Sequence, residues 1–152
     1  MIRCAPSPRL APWFADYASY NRARGNQVTH LAGIPVLMVA ILGLLSRVVL
    51  VDPGVAVGVD LAGALFAPVL LWYLWLDWRL AVPFAFAAAL SHAAGSRLPL
   101  AVLWSLFAAG WVVQYLGHLL FERRRPAFHR SLAHLLIGRL WVFAKLFRWK
   151  VL

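Results

Sequence analysis

Apolar residues fill the middle of this chain in long runs that charged residues interrupt mainly at their ends. Residues 33–51 carry one charge, Arg47, near the far end. As a helix this run is long enough to span a hydrocarbon core of about 30 Å. Asp52-Pro53-Gly54 then makes a turn. Residues 55–76 form a second run, with Asp60 near its start and Trp72, Tyr73 and Trp75 as an aromatic belt at its end. After Asp77-Trp78-Arg79, residues 80–94 are apolar over roughly 22 Å of helix, which spans only with local thinning or extension at the ends. Gly95 to Pro99 turns the chain again, and residues 100–121 make a fourth run that contains Gln114 and His118. The pattern predicts four transmembrane helices in two hairpins.

The flanks read differently. Residues 1–32 mix Pro6, Pro8 and Pro12 with Arg22, Arg24, Asn21 and Asn26, so they lack the basic-then-apolar order of a secretory signal. They predict an interfacial segment, helical from about Trp13. Beyond Glu122 and the arginines that follow it, Leu132, Leu135, Leu136, Leu140, Phe143 and Phe147 recur at helical spacing in a basic tail. That pattern predicts an amphipathic helix over residues 131–148 lying on the membrane surface. The fold class is an all-α integral membrane protein, with residues 1–152 as a single membrane domain.

Composition agrees with this reading and excludes others. The chain is 63% hydrophobic and only 13% charged, whereas a soluble domain carries about 25% charged residues. Lys and Arg number 15 against 5 acids, a net charge of +10. With four crossings, Arg47 and Arg97 stand on one side and the other thirteen basic residues on the opposite side. Both termini are therefore expected to be cytoplasmic, at a bacterial inner membrane, with the basic excess meeting anionic lipid rather than nucleic acid. Cys4 is the only cysteine, so no intramolecular disulfide forms.

This topology brings His30, Asp77 and His118 to one cytoplasmic level. Glu122 follows His118 by four residues, one helical turn, and Gln114 precedes it by one turn, so all three share a face. Two imidazoles and a carboxylate are the donor set of a 2-His-1-carboxylate iron site, which keeps positions open for dioxygen and substrate. Spacing leaves another reading open: His118 and Glu122 pair with each other or with Arg123 to Arg125 at the headgroup boundary, and His30 faces water. His92, at the opposite membrane face, reads as an interfacial residue, and Asp60 as structural. His129 and His134 lie five apart, a poor ligand spacing on a helix. The arginine run reads as a positive-inside anchor or as a clamp for a substrate carboxylate.

Two long segments resemble a known family. Tyr20 to Pro35 is similar to an opening motif of Tyr-His, then Asn, then His, then Gly-Ile-Pro, and here supplies Asn26, His30 and Gly33-Ile34-Pro35. Trp111 to Phe128 resembles a second motif, Gln-aromatic-aliphatic-Gly-His followed by Phe-Glu, Arg and Pro-Ala-Leu, and Tyr73 to Asp77 resembles a middle element ending in Leu-Asp. The family is that of membrane 2-hydroxy fatty acid dioxygenases, whose characterised fungal member acts in phytosphingosine breakdown.

The resemblance implies an Fe(II)-dependent, otherwise cofactor-free cleavage of a 2-hydroxy fatty acid by dioxygen, giving an acid one carbon shorter. Carried over by position, it implies His30, His118 and Glu122 as catalytic metal ligands, and Asn26, Gln114 and Arg124 as substrate-binding residues. The expected partners are membrane lipid, the fatty-acyl substrate and dioxygen. Two positions depart from the pattern. Asn21 stands where the family has a histidine, and Lys145 where an acidic residue is expected. An amide binds ferrous iron far more weakly than an imidazole. The alternative is therefore a non-catalytic membrane scaffold or lipid-binding module, a degenerate member of the family. A proton-coupled transporter would need ionisable groups across the midplane, where the chain offers little beyond Asp60.

Overall fold

The computed structural model describes residues 5–51, 54, 58–123 and 131–147. Along these residues the elements are α1 (Ala11–Tyr20), α2 (Arg24–Leu45), β1 (Val49–Val51), β2 (Val59–Asp60), α3 (Leu61–Gly95), α4 (Leu100–Gly117) and α5 (Ala133–Leu146). A π-helical segment, His118–Glu122, continues α4. Three helical stretches are long and apolar enough to cross a membrane, namely α2, α3 and α4 with its continuation, rather than the four expected. Their outer faces are apolar too: Leu71, Phe86, Leu90 and Leu119 are all well exposed. Helices apolar all round suit lipid rather than water.

The expected break near Asp77 survives inside α3. There the backbone leaves the helical region, with φ −160° and ψ 97°. Asp60 Oδ2 and His92 Nε2, 32 positions apart, are nevertheless 2.6 Å apart, whereas a straight helix would separate them by about 48 Å. Likewise the Phe66 and Phe84 rings lie 6.3 Å apart. Residues 61–76 and 78–95 are therefore antiparallel arms that fold back at Asp77. The tip is held by its own side chain, whose Oδ2 accepts from the Ser7 N–H at 2.8 Å and whose Oδ1 accepts from Arg79 Nε at 3.1 Å. At the open end Asp60 caps the helix by accepting from Gly63 N–H at 2.8 Å, and so has a structural part, as expected. His92, read as merely interfacial, is its partner.

Boundaries shift in ways that matter for the site. α2 starts at Arg24 instead of residue 33, so His30 lies inside the helix rather than ahead of it. The far end of the expected first span is strand: Val49–Val51 pairs antiparallel with Val59–Asp60. The N-terminal helix begins at Ala11, close to expectation. The tail helix departs most from expectation. α5 packs against α1, α2 and α3, burying Ile137, Leu140, Trp141 and Val142, while Leu132 and Phe147 of the expected apolar stripe are 73% and 63% exposed. When lipid is the solvent, apolar side chains are comfortable on both faces, so hydrophobic phase does not mark the packed side.

Small residues set how closely α2 approaches its neighbours. A Cβ on Gly95 would lie 2.8 Å from the Gly43 Cα, and one on Gly117 would run into Thr29 Oγ1 and come within 2.7 Å of Asn26 Oδ1. The second contact draws the end of α4 against the start of α2. It thereby places His118 beside His30.

Candidate metal centre

His30 sits in the second turn of α2, buried, with Nδ1 2.9 Å from the Asn26 carbonyl oxygen. A carbonyl only accepts, so Nδ1 carries the proton and Nε2 keeps a lone pair. His118 opens the π segment directly after Gly117. Its ring stands edge-on to His30, with centroids 5.0 Å apart and planes at 88°. His118 Nδ1 is buried and has no hydrogen-bond partner among the described residues. Such an orphaned nitrogen is uncommon in a native interior and marks a position where a ligand or metal would complete the valence.

Glu122 closes the π segment, and Arg123 ends it in the left-handed region with φ 53° and ψ 32°. The turn is thus wider than the α-turn assumed from the sequence. A single-turn π segment costs hydrogen-bond regularity and recurs at functional sites. Glu122 Oε1 accepts from the Ala23 N–H at 2.7 Å and from Asn26 Nδ2 at 3.2 Å, tying the end of α4 to the first turn of α2. Among the described residues no three His, Cys, Asp or Glu side chains converge closely enough to hold a metal. The structure therefore brings His30 and His118 together and keeps Glu122 alongside, held by backbone and amide.

The amides form one chain. Asn26 Nδ2 also donates to Asn21 Oδ1 at 2.9 Å, and Asn21 Nδ2 donates to the Tyr17 carbonyl at 2.9 Å. Gln27 Nε2 donates to the Asn21 carbonyl at 2.7 Å while its Oε1 accepts from Lys145 Nζ at 2.6 Å. Both departures from the family pattern, Asn21 and Lys145, thus lie on one hydrogen-bonded path that ends at Glu122. Burial lowers the Lys145 pKa, and its ammonium also lies 4.3 Å from the centre of the Trp141 ring.

The histidines open onto a cavity of about 180 Å³ whose walls include Tyr17, Asn21, Gln114, His134 and Arg139. Gln114 thus lines the same cavity as His30 and His118. Arg124 lies outside the described residues, as does His129. Sequence reasoning missed His134, which it weighed only against His129. His134 is buried, with Nε2 2.9 Å from Asp16 Oδ2 across 118 positions of sequence. The stripe His134, Ile137, Gly138, Trp141, at helical i, i+3, i+4, i+7 spacing, was the available signal for its inward position. Tyr17 and Arg139 were missed as well. Burial pushes the Tyr17 hydroxyl pKa up, so it stays protonated in the physiological range.

A family model described as "Mpo1-like: 2-hydroxy-palmitic acid dioxygenase Mpo1-like" matches residues 8–150. No curated protein and no solved structure matches the chain.

Proposed function

Because the chain belongs to the Mpo1-like family of 2-hydroxy-palmitic acid dioxygenase relatives, we propose that it is an Fe(II)-dependent dioxygenase. Its reaction would shorten a 2-hydroxy fatty acid by one carbon. The observation that carries the reading is the buried His30–His118 pair, in which one imidazole is fixed as a lone-pair donor and the other has an unsatisfied Nδ1. The donor chemistry fits a ferrous ion, since neutral imidazoles are good ligands for it. His30 and His118 would hold the metal. Glu122, whose Oε1 is taken by Ala23 and Asn26, stands alongside the pair, and to serve as a third ligand it would have to turn its other oxygen toward the metal.

When bound, ferrous iron supplies the redox chemistry that lets dioxygen react with the hydroxy acid. The net change, RCH(OH)COOH + O2 to RCOOH + CO2 + H2O, balances without an added reductant, in keeping with a reaction that needs no organic cofactor. The protein's own groups prepare the site. The Asn26 carbonyl fixes the His30 tautomer, and the Asn26 side chain orients Glu122, which are the roles that outer polar groups play around ligating imidazoles and carboxylates. Gln114 lines the cavity and can hydrogen-bond a substrate hydroxyl. Arg124 is proposed to neutralise substrate charge, as its place in the family motif implies. The apolar outer faces keep the protein in lipid, so an acyl chain reaches the site without leaving the hydrocarbon phase. In this proposal the protein sits in a bacterial inner membrane with the site at the cytoplasmic boundary.

The alternative of a non-catalytic lipid-binding module has Asn21 and Lys145 in its favour. Iron content separates the two. Detergent-purified protein reconstituted with Fe(II) and desalted should retain iron by elemental analysis, and His118→Ala should lose it. Equal retention by both proteins would contradict the metal assignment.

A further inference from the structure

Among the described residues, Arg139 borders three separate cavities. It lines the histidine cavity, an apolar cavity of about 240 Å³ that includes Met38, Leu42, Phe66 and Val69, and a third of about 200 Å³ near Phe84 and Leu146. Arg139 is half-buried, and a guanidinium with so much of its water stripped away calls for an anion, because a cation taken out of water is expensive unless it is paired. The protein supplies none within the described residues. Of the four acids described, Asp16 is taken by His134, Asp60 by His92, Asp77 by Arg79, and Glu122 by Ala23 and Asn26. Burial lowers the Arg139 pKa from its ordinary value, and the titratable groups that oppose this are the Tyr73 and Tyr17 hydroxyls, not carboxylates. The Tyr73 hydroxyl is itself committed, donating to the Leu136 carbonyl at 2.6 Å.

We propose that Arg139 is the anchor for the carboxylate of the fatty-acid substrate, holding the head group toward the histidine cavity while the acyl chain leaves through the apolar cavity between α2 and α3. Two observations carry this together: a cation without a carboxylate partner among the described residues, and its position on the boundary between polar and apolar space. An amphipathic anion is the ligand chemistry that both satisfy. Arg suits the task because its planar fork takes a carboxylate through two parallel hydrogen bonds. The anchor is distinct from Arg124 of the family motif, and it rests on the fatty-acid reading given above.

The test uses the full chain in detergent, stripped of metal with a chelator, so that iron plays no part. Binding of hexadecanoate and of hexadecan-1-ol, equal in chain length, is measured by the change in tryptophan fluorescence. The wild type should prefer the acid by about 10-fold or more at neutral pH, Arg139→Gln should bring the two within about 2-fold, and Arg139→Lys should fall between them. Arg139→Met should melt at or above the wild-type temperature, because removing an uncompensated charge costs no ion pair. A wild type indifferent to the carboxylate, or an Arg139→Gln protein that keeps the full preference, overturns the proposal. So does a melting temperature that falls in both Arg139→Met and Arg139→Gln while the preference stays. Turnover of 2-hydroxyhexadecanoate with no Arg139-dependent preference contradicts the anchor alone. The preference without turnover contradicts the dioxygenase reading alone.

Discussion

Asn21 and Lys145 were legible in the sequence as departures from a family pattern, but not as members of one hydrogen-bonded path. That path runs from Lys145 through Gln27, Asn21 and Asn26 to Glu122, and it joins residues up to 118 positions apart. Because Asn21 borders the same cavity as His30 and His118, Asn21→His would bring a further imidazole to it. If position 21 can reach the metal, Asn21→His should raise iron retention above wild type in elemental analysis. No gain would mean that this position is not a ligand in this chain. Asp60 carries a second prediction. Burial alone pushes its carboxyl up, yet the Gly63 N–H and His92 outweigh that and hold it below its usual value. A carboxylate with a lowered folded-state pKa stabilises the fold above its unfolded pKa, and that stabilisation is lost as the pH falls through the folded value. The wild-type melting temperature should therefore drop as the pH goes below about 4, and Asp60→Asn, which keeps the cap but not the charge, should drop less. Asp60→Ala should cost about 1 kcal/mol at neutral pH by removing the cap. Identical pH profiles for wild type and Asp60→Asn would contradict the assignment.

Helices α2 and α4 set the site, and the closeness of their approach depends on glycine. The apolar runs made both helices legible. The start of α2 was not, because the Ala23 N–H is satisfied by Glu122, 99 positions away, and no local pattern announces that. The face of α5 was hidden for a different reason: its stripe of apolar residues is real, but lipid accepts an apolar face as readily as the core does. His134 was unreadable because its partner, Asp16 in α1, lies 118 positions away in sequence. The element-scale prediction concerns Gly117, where an added Cβ meets Thr29 and Asn26, against Gly63, where the nearest atom outside its own backbone is Asp60 Oδ1 at 3.6 Å. Gly117→Ala should lower stability by about 1–3 kcal/mol and reduce iron retention with it. Gly63→Ala should leave iron retention unchanged. Thermal unfolding and elemental analysis of the two variants check this, and a tolerated Gly117→Ala would contradict the tight α2–α4 approach.

Across the whole molecule, the sequence's division at Asp77 reappears as the fold-back inside α3, although by length and apolarity three helices qualify as spans. The fold-back puts Asp77 at one end of the bundle and Asp60 with His92 at the other. The proposed topology, in which both arms of α3 cross and both termini are cytoplasmic, is the one that puts thirteen basic residues on one side and two on the other. With Cys4 replaced, single cysteines at positions 97 and 124 should then be labelled from opposite sides of the membrane. Labelling from one side would contradict that topology. The central claim is catalytic, and one product measurement tests it most directly. Detergent-solubilised, Fe(II)-loaded protein is incubated with 2-hydroxyhexadecanoic acid in air, and the fatty acids are analysed by mass spectrometry. Pentadecanoic acid should accumulate with wild type and be absent with His118→Ala. Iron-loaded wild type that forms none, or His118→Ala that forms as much, would contradict the assignment of His30 and His118 to dioxygenase chemistry.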